Sequence, residues 1–154
     1  SPLETSRGEQ SAWLIRGTVL KVRREVLQRE GRADWLADSE YAFNAVFGDD
    51  TSTSDVYARV AANALPAVMH GVNCTLLAYG QTNSGKTFTM LGDAAAVGAG
   101  PGLITLAIED VLRHVAAARA VRRYRLRLSC LEVYHEQCND LLAPGRSNLK
   151  LYER

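Results

Sequence analysis

The sequence predicts an α/β layered domain in which helices flank a central, mainly parallel sheet, and three observations predict it. A short apolar run, Leu76 to Gly80, passes into a polar loop and then into what reads as a helix opening at Gly85-Lys86-Thr87. Stretches of helical period alternate along the chain with stretches of strand period, the pattern of layered α/β domains. No internal repeat or heptad run is present, so solenoids and coiled coils fall away as alternatives.

In chain order, residues 1–11 are polar with one proline, and then Trp13-Leu14-Ile15 and Thr18 to Val22 are two β-leaning runs around Gly17. A small hairpin or edge region is expected there. Arg23 to Arg32 mixes arginine with glutamate and reads as a solvated face or loop. Tyr41, Phe43, Ala45 and Phe47 recur at period two, which predicts a half-buried strand ended by Gly48-Asp49-Asp50. Ser52 and Asp55 have the spacing of a capping pair, so a helix should start near Ser54. Val56, Tyr57, Val60, Ala61, Ala64, Leu65, Val68 and Met69 then form one apolar stripe. Pro66 interrupts it and predicts a kink or an early stop, with Gly71 marking the end.

Beyond the polar loop, Gly92 to Gly102 is rich in glycine and alanine and predicts a flexible surface loop. Leu103, Ile104, Ala107, Ile108, Val111, Leu112 and Val115 restore the helical period as far as about Ala118. Tyr124, Leu126, Leu128 and Cys130 alternate with Arg123, Arg125, Arg127 and Ser129, and with Leu131 and Val133 they predict one long strand. Its arginine face reads either as a sheet edge or as a face covered by an acidic partner. Asn139 to Leu142, followed by Pro144-Gly145, predicts a short helical turn and then a loop.

At 154 residues and 47% hydrophobic composition the chain can bury a core, and its 18 Lys or Arg against 17 Asp or Glu give no reason for a nucleic-acid or membrane-surface partner. No run approaches the roughly 18 apolar residues of a membrane span, and the first residues of this sequence show no basic region followed by an apolar core. Cys74, Cys130 and Cys138 lack zinc-like spacing, and an odd count argues against a closed disulfide framework, so a reducing, cytoplasmic setting fits. His70, His114 and His135 are scattered without metal-like spacing, and Glu132 and Glu136 have no third group to make a catalytic set.

Gly80, Gly85, Lys86 and Thr87 match G-x-x-x-x-G-K-[ST]. The glycines let successive amide N–H groups turn inward at phosphate oxygens, and the helix start adds its positive dipole end. Lys86 brings a mobile charge toward β- and γ-phosphates, while Thr87 offers a hydroxyl to magnesium. A lysine at a helix start opposes the dipole unless something anionic sits there.

The words around the loop are more specific still. Ala78-Tyr79-Gly80-Gln81-Thr82, Ser84-Gly85-Lys86-Thr87 and Thr89-Met90 resemble the phosphate loop of kinesin motor domains. Phe43 with Val46-Phe47, Gly71 with Asn73, and Gly102-Leu103-Ile104 with Ala107-Ile108-Glu109-Asp110 are similar to further segments of that family, in order. So are Leu131-Glu132-Val133-Tyr134, Glu136 and Asp140-Leu141-Leu142, which carries the resemblance through residues 41–154. Pro2-Leu3 resembles the family's pocket beside adenine, and Asn148-Leu149-Lys150-Leu151 resembles its centromere-associated-protein-E-like branch. Departures stand at Ser1 (arginine in the family), Asn83 (a small residue), Thr105 (proline) and His135 (asparagine).

The resemblance implies that residues 1–154 are the N-terminal part of a motor domain of the phosphate-loop NTPase type, without its first strand, its two switch regions and most of its microtubule-binding half. It implies ATP and Mg2+ held by Gly80, Gln81, Thr82, Asn83, Ser84, Gly85, Lys86 and Thr87, with Phe88 and Pro2 beside the base and Thr87 on the metal. Hydrolysis would drive movement on microtubules in the complete protein, a cytoskeletal ATPase able to dimerise through a coiled coil outside this sequence. The fragment alone is expected to hydrolyse little, because the switch serines, arginine and aspartate-glycine pair lie beyond Arg154. An inactive kinesin-like scaffold and an unrelated phosphate-loop enzyme are the rival readings.

Overall fold

Gly17, at a φ of 60°, occupies the first position of a two-residue turn, where glycine alone is unstrained. The turn joins β1 (Trp13–Arg16) to β2 (Val19–Val22) in the expected hairpin, and β3 (Glu40–Ala42) adds antiparallel to β2. The computed structural model describes residues 12–23, 39–92, 100–143, 145–150 and 152. Pro2, most of the Arg23 to Arg32 run and residues 93–99 of the expected surface loop lie outside them. Register puts Trp13, Ile15, Leu20, Val22 and Tyr41 on one face of this sheet, where Trp13 and Tyr41 meet edge to face at 6.1 Å. Lys21 pairs with Glu40 on the other face.

The strand expected over Tyr41 to Phe47 is shorter than its alternation suggests. Its last rung is Phe43 N–H donating to the Thr18 carbonyl at 2.9 Å, because β2 offers no residue beyond the Gly17 turn to pair with. Tyr41 and Phe43 are exposed rather than half-buried.

Helix α1 (Thr53–Val60) starts as its cap dictates: the Ser52 hydroxyl accepts from the Asp55 amide at 3.1 Å and donates to the Asp55 carboxylate at 2.6 Å. Pro66 breaks the helical stripe by starting a new helix. A short 3-10 turn (Ala62–Ala64) leads into α2 (Leu65–Met69), with the proline in the first turn, where its missing N–H is no loss. Gly71, at φ 93°, ends it. Tyr57 and Ala61 of this run and Leu103 of α4 (Leu103–Ala118) form the buried core, with Leu76, Met90, Leu106 and Ala107 packed against it. The Tyr57 hydroxyl donates to Asp110 at 2.7 Å and ties α1 to α4.

Between these helices α3 (Lys86–Leu91) is closed by the Gly92 amide on the Phe88 carbonyl at 2.8 Å. Gly92 and Pro101 bridge antiparallel, and a Cβ on Gly102 would stand 2.3 Å from the Gly92 nitrogen and the Leu91 carbonyl carbon. Only backbone without side chains can approach that closely, so two glycines pinch together the ends of the segment between α3 and α4.

Two compact units divide the chain at residues 111 and 112. In the second, β4 (Leu131–Tyr134) and β5 (Gln137–Asp140) pair antiparallel around His135 and Glu136, both at positive φ. The helical turn expected over Asn139 to Leu142 is instead the end of this hairpin. The Leu142 amide donates to the Asp140 side chain at 2.9 Å and the Leu141 amide to the Cys130 carbonyl at 2.8 Å. The long strand expected from Tyr124 onward is a ladder only from Leu131.

Residues 72–80 and 122–130 enter no ladder among the described residues, and every described strand pair is antiparallel. Central strands of a parallel sheet are bonded on both sides by strands distant in sequence. Within the described residues neither segment meets such a partner.

Candidate phosphate-binding site

Leu76 packs into the core and Ala78 is half-buried, so the chain entering the loop is anchored from behind. The core's Met90 anchors the helix leaving it. Between these two points the loop must reverse direction in a few residues, and its dihedrals show how. Asn83 takes φ 64° and Gly85 φ 85°, both left-handed, with Gly85 in the N-cap position of α3. Asparagine tolerates this region better than other residues with a side chain, which makes Asn83 compatible with the turn. The Ser84 amide closes a turn on the Gln81 carbonyl at 3.2 Å, and the Thr89 amide makes the first helical bond to Gly85 at 2.9 Å.

Gly80 leaves the Ser84 side chain its place. A Cβ there would lie 2.5 Å from the Ser84 hydroxyl oxygen and 3.3 Å from its Cβ, inside the curl of the loop. Lys86 folds back over that curl and donates from Nζ to the carbonyls of Gly80 at 2.8 Å and Gln81 at 2.6 Å. The helix start and the lysine thus face one small region. Thr82, Asn83, Gly85, Lys86, Thr87 and Phe88 line a cavity of about 430 Å3 there. The Thr87 hydroxyl carries no protein hydrogen bond among the described residues, and Phe88 is about half exposed.

This geometry suits a polyphosphate with a hard divalent cation. The donors are backbone amides and an ammonium, all positive in character, and the uncommitted Thr87 oxygen is the kind of ligand magnesium takes alongside water and phosphate. Of the residues expected at phosphate, Thr82, Asn83, Gly85, Lys86 and Thr87 line this cavity together with Phe88, expected beside the base, while Gly80, Gln81 and Ser84 shape the loop without lining it and Pro2 lies outside the described residues. No group of three or more His, Cys, Asp or Glu among the described residues is placed to hold a metal. His70 contacts the Pro66 carbonyl at 2.6 Å, and all three cysteines are free.

Two supports of the site were not apparent from residue patterns. The Tyr57–Asp110 bond needs knowledge that α1 and α4 are adjacent, which no local signal carries. The Gly92/Gly102 pinch had a signal, paired glycines bounding a low-complexity stretch, whose meaning is a close backbone approach rather than mere looseness.

A family model described as the kinesin motor domain matches residues 2–154. Kinesin-like protein KIN-7G of Oryza sativa subsp. japonica is 40% identical over 153 residues, covering 99% of this chain and 15% of that protein. Kinesin-like protein KIN-7D, mitochondrial, of Arabidopsis thaliana is 42% identical over 153 residues, with 99% and 13% covered. The chain therefore spans well under a fifth of the length of these relatives. Among solved structures, a fast kinesin superposes with a TM-score of 0.83 at 28% identity, over 99% of this chain and 40% of that one. The Drosophila kinesin family member Kin10/NOD, solved with divalent manganese and ADP, shares the fold with a TM-score of 0.69 at 22% identity, over 88% of this chain and 45% of that one. The fold class is thus the layered α/β arrangement of phosphate-loop motor domains, of which this chain presents a part.

Proposed function

This chain belongs to the kinesin motor-domain family, and on that premise we propose that its 80–88 loop binds ATP with Mg2+ as part of a microtubule motor. The observation that carries the reading is the loop itself, with Gly80 kept open, Gly85 left-handed at a helix start, and Lys86 curled over both. Backbone amides of residues 81–87 and the Lys86 ammonium hold the phosphates, and the Thr87 hydroxyl is a metal ligand. Phe88 offers a ring to the base, with Pro2 on the same side. When bound, the metal supplies charge neutralisation between β- and γ-phosphate oxygens.

Phosphoryl transfer also needs groups that position the attacking water and sense the γ-phosphate. Residues 1–154 supply the cradle and leave those roles to sequence outside it, so hydrolysis and track binding belong to a longer protein, cytoplasmic and associated with microtubules. A coiled coil elsewhere in that protein would make it a homodimer. The relatives above bear KIN-7 names, and the centromere-associated-protein-E-like assignment rests only on the residue resemblance, the spacing from Pro2-Leu3 to Trp13 and the run Asn148 to Leu151.

The test is fluorescent-ATP binding to the full-length protein and to its Lys86→Ala variant. We expect the substitution to weaken binding at least about tenfold without altering the circular dichroism spectrum, while the 154-residue chain alone shows no microtubule-stimulated turnover. Equal affinity in both proteins would leave the inactive-scaffold reading standing, and stimulated turnover by the short chain would overturn the division of labour.

A further inference from the structure

The polarity that the phosphate loop presents depends on one tight turn. The Ser84 amide donates to the Gln81 carbonyl at 3.2 Å, so residues 81–84 close a four-residue turn. Its third residue, Asn83, has φ 64°, while Gln81, Thr82 and Ser84 are not at positive φ. That combination is the signature of a type II turn, which needs a left-handed third residue and takes glycine or asparagine there. Four consecutive residues close it, so its conformation needs no partner from elsewhere in the chain.

A type I turn keeps the same closing bond with a negative φ at the third residue, and the peptide between its two central residues is rotated by about half a turn. Here that peptide joins Thr82 to Asn83, and both residues line the cavity. Rotation exchanges the places of the Asn83 N–H and the Thr82 carbonyl. One handedness therefore offers a donor where the other offers an oxygen, and an oxygen beside a phosphate repels it. Gly85, at φ 85°, is left-handed as well, so handedness alternates through Asn83, Ser84 and Gly85. Alternation of this kind aims neighbouring amides into one concavity and makes an anion site from main chain alone.

We propose that Asn83 is the positioning residue of this site. Its left-handed backbone, rather than its side-chain amide, holds the Asn83 N–H toward the phosphates. A residue confined to negative φ reverses the Thr82–Asn83 peptide and puts a carbonyl in its place. This role presupposes phosphate at the 80–88 loop, and it sets whether the main chain there attracts or repels an anion.

Fluorescent ATP with Mg2+, titrated into the full-length protein and its Asn83→Gly, Asn83→Ala and Asn83→Val variants, tests the role. Glycine enters the left-handed region freely, alanine with strain, and a β-branched residue hardly at all. Expected affinities are within about threefold of the unsubstituted protein for Asn83→Gly, about fivefold lower for Asn83→Ala, and at least about tenfold lower for Asn83→Val. Inorganic tripolyphosphate, used as a competitor, should rank the variants in the same order, because the turn acts on phosphate and not on the base. Circular dichroism identifies a valine variant that fails to fold, and the glycine and alanine variants then decide. The proposal is overturned if Asn83→Gly loses as much affinity as Asn83→Ala, which would put the contact in the side chain. Undiminished affinity in a folded Asn83→Val overturns it too, as does a tripolyphosphate ranking that shows no order. If the unsubstituted protein binds no ATP, the phosphate reading itself fails and this role fails with it.

Discussion

His135 and Glu136 sit in a two-residue hairpin turn with φ of 47° and 62°, closed by the Tyr134–Gln137 pair. Turns with two left-handed residues favour Asn-Gly, because a side chain in that region costs roughly 1–2 kcal/mol. The His135 ring meets Tyr134 edge to face at 4.1 Å, which offsets part of that cost. His135→Asn with Glu136→Gly should therefore raise the unfolding free energy by about 1 kcal/mol, read as a higher midpoint in urea. A lower midpoint would show that the ring contact outweighs the strain. This turn escaped the sequence reading because its residues carry none of the usual turn chemistry. The phosphate loop was legible for the opposite reason: Gly80, Gly85, Lys86 and Thr87 each do something that few other residue types can.

Among the elements, those with a chemical start and stop were legible. The Ser52 cap gives the start of α1 and the apolar period of Leu103 to Ala118 gives α4 nearly residue by residue, whereas the stripe from Val56 to Met69 did not reveal that α1 ends at Val60. Strands without a partner were not legible as such, since alternation in Tyr124 to Cys130 reports a preference for a ladder and cannot report whether the ladder exists. The junction of α3 and α4 is the most sensitive element. A methyl group at position 102 would meet the Gly92 nitrogen, the Leu91 carbonyl carbon and, at 2.5 Å, the Met90 oxygen, all backbone atoms unable to rotate away. Gly102→Ala should cost more than about 2 kcal/mol and lower the thermal midpoint by several degrees. An unchanged midpoint would mean that the two helices separate freely. Since α3 carries Lys86 and Thr87, fluorescent-ATP affinity should fall in the same variant.

At the scale of the whole molecule, the α/β class was readable from the order of motifs, whereas the parallel pairing could not be seen in the described residues. Its consequence is surface chemistry. Leu77 is 85% exposed, Tyr79 95%, Leu126 53% and Leu128 70%, all in the segments that form no ladder. Apolar side chains in such number on unpaired backbone favour association. The 154-residue chain alone should bind an apolar dye such as ANS strongly and self-associate with rising concentration, and a chain extended toward the length of the solved fast kinesin should do neither. Equal dye binding by both chains would contradict this.

The hold of Lys86 on the Gly80 and Gln81 carbonyls bears on how a ligand meets the loop. An ammonium has three N–H donors, and two are engaged within the protein, leaving one for an incoming oxygen. An incoming oxygen that drew on a second donor would displace one of these carbonyls, so the loop's own backbone competes with an anion for the lysine.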